Sequence, residues 1–193
     1  LSQDSPVLRR WRQAIPDLQH DIRNDPAFRT RLRAGYAFFP RGDSSGLSVA
    51  VEDIFIGQTG LTLSGEYQQG WGGGNGRDRQ SLGADLRYYV LPLGSYVNLA
   101  PVVGYRRLET SAYTTEGVNL GVRLMVSLSR TGAADLSLSQ TWVAPGSEEE
   151  VGITTLSAGY ALTRHLRIST DLQKQNAPQR RDSRVGILLE WML

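Results

Sequence analysis

Cysteine is absent from all 193 residues, so the chain has no disulfide, no thiolate metal ligand and no thiol nucleophile. That absence leaves the compartment open, since an envelope protein without disulfides is as permissible as a cytosolic one. Histidine occurs only twice, as His20 and His165. No His, Cys and carboxylate grouping has metal-ligand spacing, and no cofactor is expected. Lysine occurs once, as Lys174, so nearly all cationic charge is arginine. The net charge of +2 is too small to argue for a nucleic-acid partner. No apolar run approaches the roughly 20 residues of a membrane-spanning helix. The glycine tract Gly70 to Gly76 lacks both the strand-to-helix setting and the lysine of a phosphate-binding loop. It reads as a loop.

What is present is alternation. In SRVGILLEWML, residues Val185, Ile187, Leu189, Trp191 and Leu193 share one parity, and Arg184, Gly186, Leu188, Glu190 and Met192 share the other. This is the two-residue period of a strand with one apolar and one mixed face. VNLGVRLMVSL gives the same split, with Val118 to Leu128 opposing Asn119, Arg123 and Ser127. Comparable splits occur in FRTRLRAGYAFF, LTLSGEYQ, SLGADLRYYV, VNLAPVVGYR, DLSLSQTW and HLRISTDLQ. GLSVAVE is a shorter candidate. In VGITTLSAGYAL the apolar parity changes near Thr154, which suggests a bulge. The sum is about ten strands of about 8 to 12 residues, long enough to cross a bilayer at a tilt.

A soluble sheet has the same period, so two further patterns carry the choice. Longer, polar links (PRGDSSG, GWGGGNGRDRQ, LETSAYTTEG, VAPGSEEE, KQNAPQRRDS) alternate with mostly shorter ones (DIFIGQT, PLGS, SRTGAA, LTRH). Membrane barrels have such an asymmetry, with short periplasmic turns and longer external loops. Aromatics on the apolar face also sort to the strand ends. Phe28, Tyr88, Tyr160 and Trp191 fall toward one rim, and Phe38, Tyr67, Tyr105 and Trp142 toward the other. Two aromatic girdles are expected where rings sit at both membrane interfaces. The expected fold is an all-β, antiparallel transmembrane barrel of about ten strands over residues 28–193, behind a short helical segment.

The C-terminus then resembles the insertion signal of bacterial outer-membrane barrels: a polar residue, a glycine two positions on, then alternating hydrophobic or aromatic residues. Here these are Arg184, Gly186, Leu189, Trp191 and Leu193, with leucine where phenylalanine is usual. LRYYVLPLGSYVNLAPVVGYR and SRTGAADLSLSQ also resemble stretches of cyanobacterial envelope proteins. The resemblance implies a bacterial outer-membrane location, contact with outer-membrane lipid, and handling by the barrel-assembly machinery.

Residues 1–27 break the alternation. Ser5-Pro6 can start a helix, and Val7, Leu8, Trp11, Ala14 and Ile15 follow at helical spacing until Pro16. Leu18 and Ile22 continue the stripe. An interfacial amphipathic segment, a plug in the lumen and an arm that docks an envelope partner all fit.

The mixed face places Arg29, Arg31, Arg33, Glu66, Asp85, Arg87, Arg106, Arg123, Arg167, Asp171, Arg184 and Glu190 inside. These charges either pair across the interior or line a narrow aqueous path. A barrel of eight strands is just filled by side chains, and ten lies near that end. Arginines outnumber carboxylates in this set, so an open path would favour anions. Small outer-membrane barrel enzymes resemble one another in using a histidine near the external rim, and neither His20 nor His165 is placed for that. The reading is therefore non-enzymatic: a narrow pore for small, preferentially anionic solutes, or a closed barrel working through its loops or N-terminal arm. A barrel enzyme with an unfamiliar site is the third possibility.

Overall fold

The parity seen in the sequence becomes inside and outside. A computed structural model describes residues 26–40, 44–57, 59–72, 78–110, 113–129, 132–178 and 181–193. Ten strands follow one another: β1 Arg31–Phe39, β2 Ser44–Phe55, β3 Leu61–Gly72, β4 Arg79–Tyr88, β5 Val97–Glu109, β6 Thr114–Ser127, β7 Ala134–Val143, β8 Val151–Ala161, β9 Leu166–Asn176 and β10 Arg181–Met192. Each pairs antiparallel with its sequence neighbours. β10 returns to β1, from Arg31 opposite Met192 to Phe38 opposite Val185, and closes the barrel. Closure leaves no free edge, so the backbone polar groups of the wall are satisfied within it, as lipid requires.

The burial pattern is that of a membrane barrel. Ile187, Leu189 and Trp191 of β10 are exposed, while Arg184, Leu188 and Glu190 at the opposite parity are buried. Leu120, Val122 and Leu124 of β6 are exposed around a buried Arg123. Charge inside and apolar surface outside reverse the arrangement of a water-soluble domain. Seven of the eight girdle aromatics sit on the outer surface: Phe38, Tyr67, Tyr105 and Trp142 toward one end, Tyr88, Tyr160 and Trp191 toward the other.

Phe28 corrects the eighth. The wall begins at Arg31, not at residue 28, and the preceding residues fold under the barrel, with the Ala27 amide donating to Leu93 O at 2.9 Å. Phe28 is 2% exposed and packs 4.5 Å from the Tyr89 ring and 5.4 Å from Phe55. Arg29 is likewise corrected. It lies before the wall and is exposed, beside Thr163, Arg164 and His165 at the end that carries both termini of the barrel. The helical segment expected over 1–27 falls outside the described residues except for Pro26 and Ala27, as does His20.

The link asymmetry dissolves. β5 ends at Glu109 and β6 starts at Thr114, leaving four residues, whereas eight separate Tyr88 from Val97 at the opposite end. Ladder hydrogen bonding continues past the apolar band wherever backbones remain adjacent, so residues that look like loop become polar strand. Gln80, Arg107, Glu116, Lys174 and Arg181 stand on these extensions, all exposed. The asymmetry survives as a polar collar on the loop end.

The bulge also moves. β8 pairs without interruption with both neighbours. Its parity change arises because Val151 and Ile153 face the interior, in an apolar cluster with Leu108, Tyr113 and Val143 at the loop end. The register shift lies in β2, where Glu52 and Asp53 occupy the space that β3 fills with Ser64 alone. Asp53 takes φ of 55°, a conformation aspartate tolerates better than most residues. Two consecutive carboxylates thereby face inward.

The interior has three layers. Phe28, Tyr89, Leu93, Ala100 and Met125 form an apolar layer at the terminal end. Leu108, Tyr113, Val143, Val151 and Ile153 form another at the loop end. Between them lies charge.

Candidate functional site in the barrel lumen

The inward faces of β1 and β2 start the site. Arg31 and Glu52 are direct cross-strand partners, as are Arg33 and Glu190. Glu52 reaches four arginines: Arg33 at 3.0 Å, Arg31 at 3.3 Å, Arg123 at 3.6 Å and Arg87 at 3.9 Å. Glu190 meets Arg33 at 2.9 Å, Arg167 at 3.0 Å and Arg31 at 3.7 Å. Asp135 accepts from Arg31 at 3.0 Å and Arg167 at 2.6 Å. Asp171 accepts from Arg33 at 2.8 Å. Every member is at most about one-eighth exposed. Such a knot holds only if each charge keeps several partners, because each has lost its hydration.

Asp53 ties the knot to the terminal layer. Its carboxylate accepts from the Tyr89 hydroxyl at 3.0 Å, Arg87 at 3.2 Å and Thr62 at 3.2 Å. Its amide donates to Ser64 Oγ at 3.0 Å. The positive φ is thus held from both the backbone and the side chain.

Two arginines span a neighbouring strand across a glycine. Glu66, Gly83 and Arg106 stand side by side on β3, β4 and β5. Arg106 lies over Gly83, where a Cβ would sit 3.1 Å from its Nε, and donates to Glu66 at 2.6 Å and Asp85 at 3.2 Å. Asp135 and Gly159 pair in the same way on β7 and β8. Arg167 of β9 crosses Gly159 to reach Asp135, and a Cβ there would collide with its Nη2. Glycine serves here by close approach.

A sparser stretch lies farther along the lumen. Arg184, Gln173, Thr155, Ser139 and Arg123 are successive cross-strand partners from β10 to β6, all lining one cavity of about 50 Å³. Gln173 donates to Thr155 Oγ1 at 3.3 Å. Arg184 makes no hydrogen bond among the described residues, and its one carboxylate contact is Asp171 at 3.7 Å. Among the described residues Arg123 donates only to Ser137 Oγ, at 3.3 Å.

Of the twelve lumen residues read from the sequence, eleven face the interior and Arg29 does not. Five more charges belong with them: Glu52, Asp53, Arg79, Asp135 and Asp182. Arg79 pairs with Asp182 near the loop end and lies 5.0 Å over the Phe39 ring. The interior therefore holds eight arginines and eight carboxylates among the described residues, which removes the arginine excess inferred from sequence. Asp135 was legible, since it shares parity with Ser137 in DLSLSQTW. In VAVEDIFI, apolar parity runs through Val49 and Val51 and resumes at Ile54 and Ile56; that slip marks the bulge. Arg79 and Asp182 sit in stretches that read as loop.

The insertion-signal residues divide between faces. Arg184 and Gly186 are buried, and Leu189, Trp191 and Leu193 are exposed. His165 stacks on Trp191, with ring centroids 6.2 Å apart, in the exposed turn between β8 and β9. Among the described residues no cluster of three or more His, Cys, Asp or Glu could hold a metal ion.

No protein-family model matches this chain, and no curated protein matches it. Among solved structures it is similar to the KdgM porin, at 8% identity and TM-score 0.46, covering 84% of this chain and 99% of that one. A membrane protein solved in work on in-meso crystallization aligns at 9% identity and TM-score 0.42, covering 84% of each chain. A mutant of the Rh. blastica porin aligns at 11% identity and TM-score 0.25, covering 86% of this chain and 99% of that one. With scores below 0.5, these likenesses bear on neither the site nor its chemistry.

Proposed function

We propose that this chain is an outer-membrane β-barrel acting as a narrow, gated pore for ions and other very small solutes. The contrast between the interior layers carries the reading. At each end of the lumen an apolar cluster packs across the interior, which shows what this wall accommodates when it is simply packed. The middle instead keeps fourteen charged groups among the described residues and a cavity, although a buried ion pair stabilises no better than well-packed apolar residues of equal volume. A charged waist makes sense where ions must be admitted. The apolar layers then act as the gates, since hydrophobic constrictions close by excluding water.

Selectivity is the finer part of the proposal. The arginine total no longer argues for anions, but the cavity wall does locally. Five arginines (Arg33, Arg87, Arg106, Arg123, Arg184) meet four carboxylates (Glu52, Glu66, Asp85, Asp171) there. A weak anion preference follows.

The test is single-channel current from refolded protein in a planar bilayer under a salt gradient. Discrete, flickering steps with an anion-shifted reversal potential are expected. A silent bilayer containing demonstrably folded, inserted protein would overturn the pore. The membrane setting has its own test. Leu138→Arg on the outer mid-band should cost about 2–4 kcal/mol in a lipid bilayer, whereas a water-facing wall would tolerate it.

The alternative, a closed barrel that docks an envelope partner, draws on the two apolar layers and the balanced charge. It predicts a silent bilayer and a co-purifying protein lost on deletion of residues 1–25 or of a collar loop.

A further inference from the structure

We propose that the row from Arg123 to Arg184 is a binding site for one small monovalent anion, of halide or carboxylate size. The inference deepens the reading of the lumen but does not require conduction, since a closed barrel would hold the same ion.

Three observations carry it. First, the row places a guanidinium at each end and only Ser139, Thr155 and Gln173 between them, so the three strands between the arginines present hydroxyl and amide groups, and the nearest carboxylates, Asp171 and Glu52, stand outside the row at its two ends. A ring of hydroxyl, amide and guanidinium donors is the chemistry that replaces an anion's water. Second, the two arginines are the least engaged in the lumen. Arg184 is 5% exposed, makes no hydrogen bond among the described residues, and touches a carboxylate only at 3.7 Å. Arg123 is 5% exposed, donates to Ser137 Oγ at 3.3 Å, and meets Glu52 only at 3.6 Å. The carboxylates facing the cavity are already claimed: Asp171 and Glu52 by Arg33, Glu66 and Asp85 by Arg106. A desolvated cation with so little compensation calls for a counter-charge. Third, the space fits. The cavity of about 50 Å³ exceeds the ~10–15 Å³ that one water requires, and it is too small for a sugar. Its wall carries one arginine more than carboxylates, so a single monovalent anion neutralises it.

The experiment uses the whole refolded protein in detergent, with chloride and bromide as probes. Chloride-35 NMR line broadening should rise with protein and saturate as chloride is added. Arg184→Gln and Arg123→Gln should each remove the saturable part, whereas Arg107→Gln on the outer collar should leave it intact. Crystals grown in bromide should place one anomalous peak among Ser139, Thr155 and the two guanidinium groups. Because an arginine variant could disturb folding, Ser139→Asp supplies a second route. It keeps both arginines and places a fixed negative charge in the row, and it should abolish halide binding while retaining the heat-dependent gel mobility of a folded barrel. Broadening that never saturates, binding unchanged in both arginine variants, or bromide confined to the rim would overturn the site and leave the cavity to water. None of these readings depends on current, so failure of the pore and failure of the site are separately visible.

Discussion

The lumen contains two ways of burying arginine, and they differ in what they ask of their surroundings. In the knot near the terminal end, Arg31 lies within 3.7 Å of four carboxylates and Arg33 contacts three. In the row, Arg184 contacts one, loosely. The knot is complete in itself: its charges offset their lost hydration through one another, and no solute could displace one without stranding the rest. The row is incomplete, and incompleteness is what leaves chemistry for a ligand. Similar residues, a few strands apart, thus build a fastening in one place and a receptive site in another.

The largest effect that would sharpen this contrast is expected at Glu52. Glu52→Gln leaves Arg31, Arg33, Arg87 and Arg123 with less compensation, and should lower unfolding free energy by about 3–5 kcal/mol in urea titrations from lipid vesicles. A loss under 1 kcal/mol would mean the knot is not the fastening described. Gly159→Ala comes next, because the added Cβ meets Arg167 Nη2 and pushes it off Asp135. A cost of about 1–3 kcal/mol, as for other overpacked interiors, is expected in the same titration. Arg184→Gln should go the other way. Removing a poorly compensated buried charge should leave the midpoint unchanged or slightly raised, while halide binding disappears. A large destabilisation would make Arg184 part of the knot after all. The smallest effect belongs to Arg107→Gln. Its partners Glu109 and Glu116 are exposed with it on the collar, so neither unfolding nor halide binding should move measurably.

How far the sequence could be read follows from which interactions are local. Strand identity and facing were legible because side chains alternate at every step, so one apolar face repeats every second residue. That was enough to place Leu120, Val122 and Leu124 outside and Arg123 inside. The girdles were legible for the same reason, and Phe28 failed because it precedes the wall and follows no strand period. The loop boundaries failed because composition marks where the apolar outer band ends, whereas pairing continues until backbones part. Gln175 and Asp182 are ladder partners inside a stretch that reads as a polar loop.

The candidate site was legible as a list of charges and illegible as an arrangement. Parity puts Arg106 and Glu66 inside, but only the register that sets Gly83 between them shows why they meet. Parity with Ser48 and Ala50 already puts Glu52 inside, the bulge turns Asp53 in beside it, and with Asp135 and Asp182 they balance an interior that had looked basic. A one-residue insertion reverses facing for everything beyond it, so such a feature changes the electrostatics of a whole lumen while leaving composition untouched.

By itself, then, the sequence determined that this chain forms about ten antiparallel strands with an apolar outside and a charged inside. A period of two is a property of neighbouring residues, and neighbours are what a sequence records. The tertiary structure alone decided that the interior is layered, and that its charges pass from a saturated knot into an open row that leaves the knot at Arg123 and ends at Arg184. Those facts depend on the stagger between strands far apart in the chain, which closure of the barrel fixes and no single segment encodes.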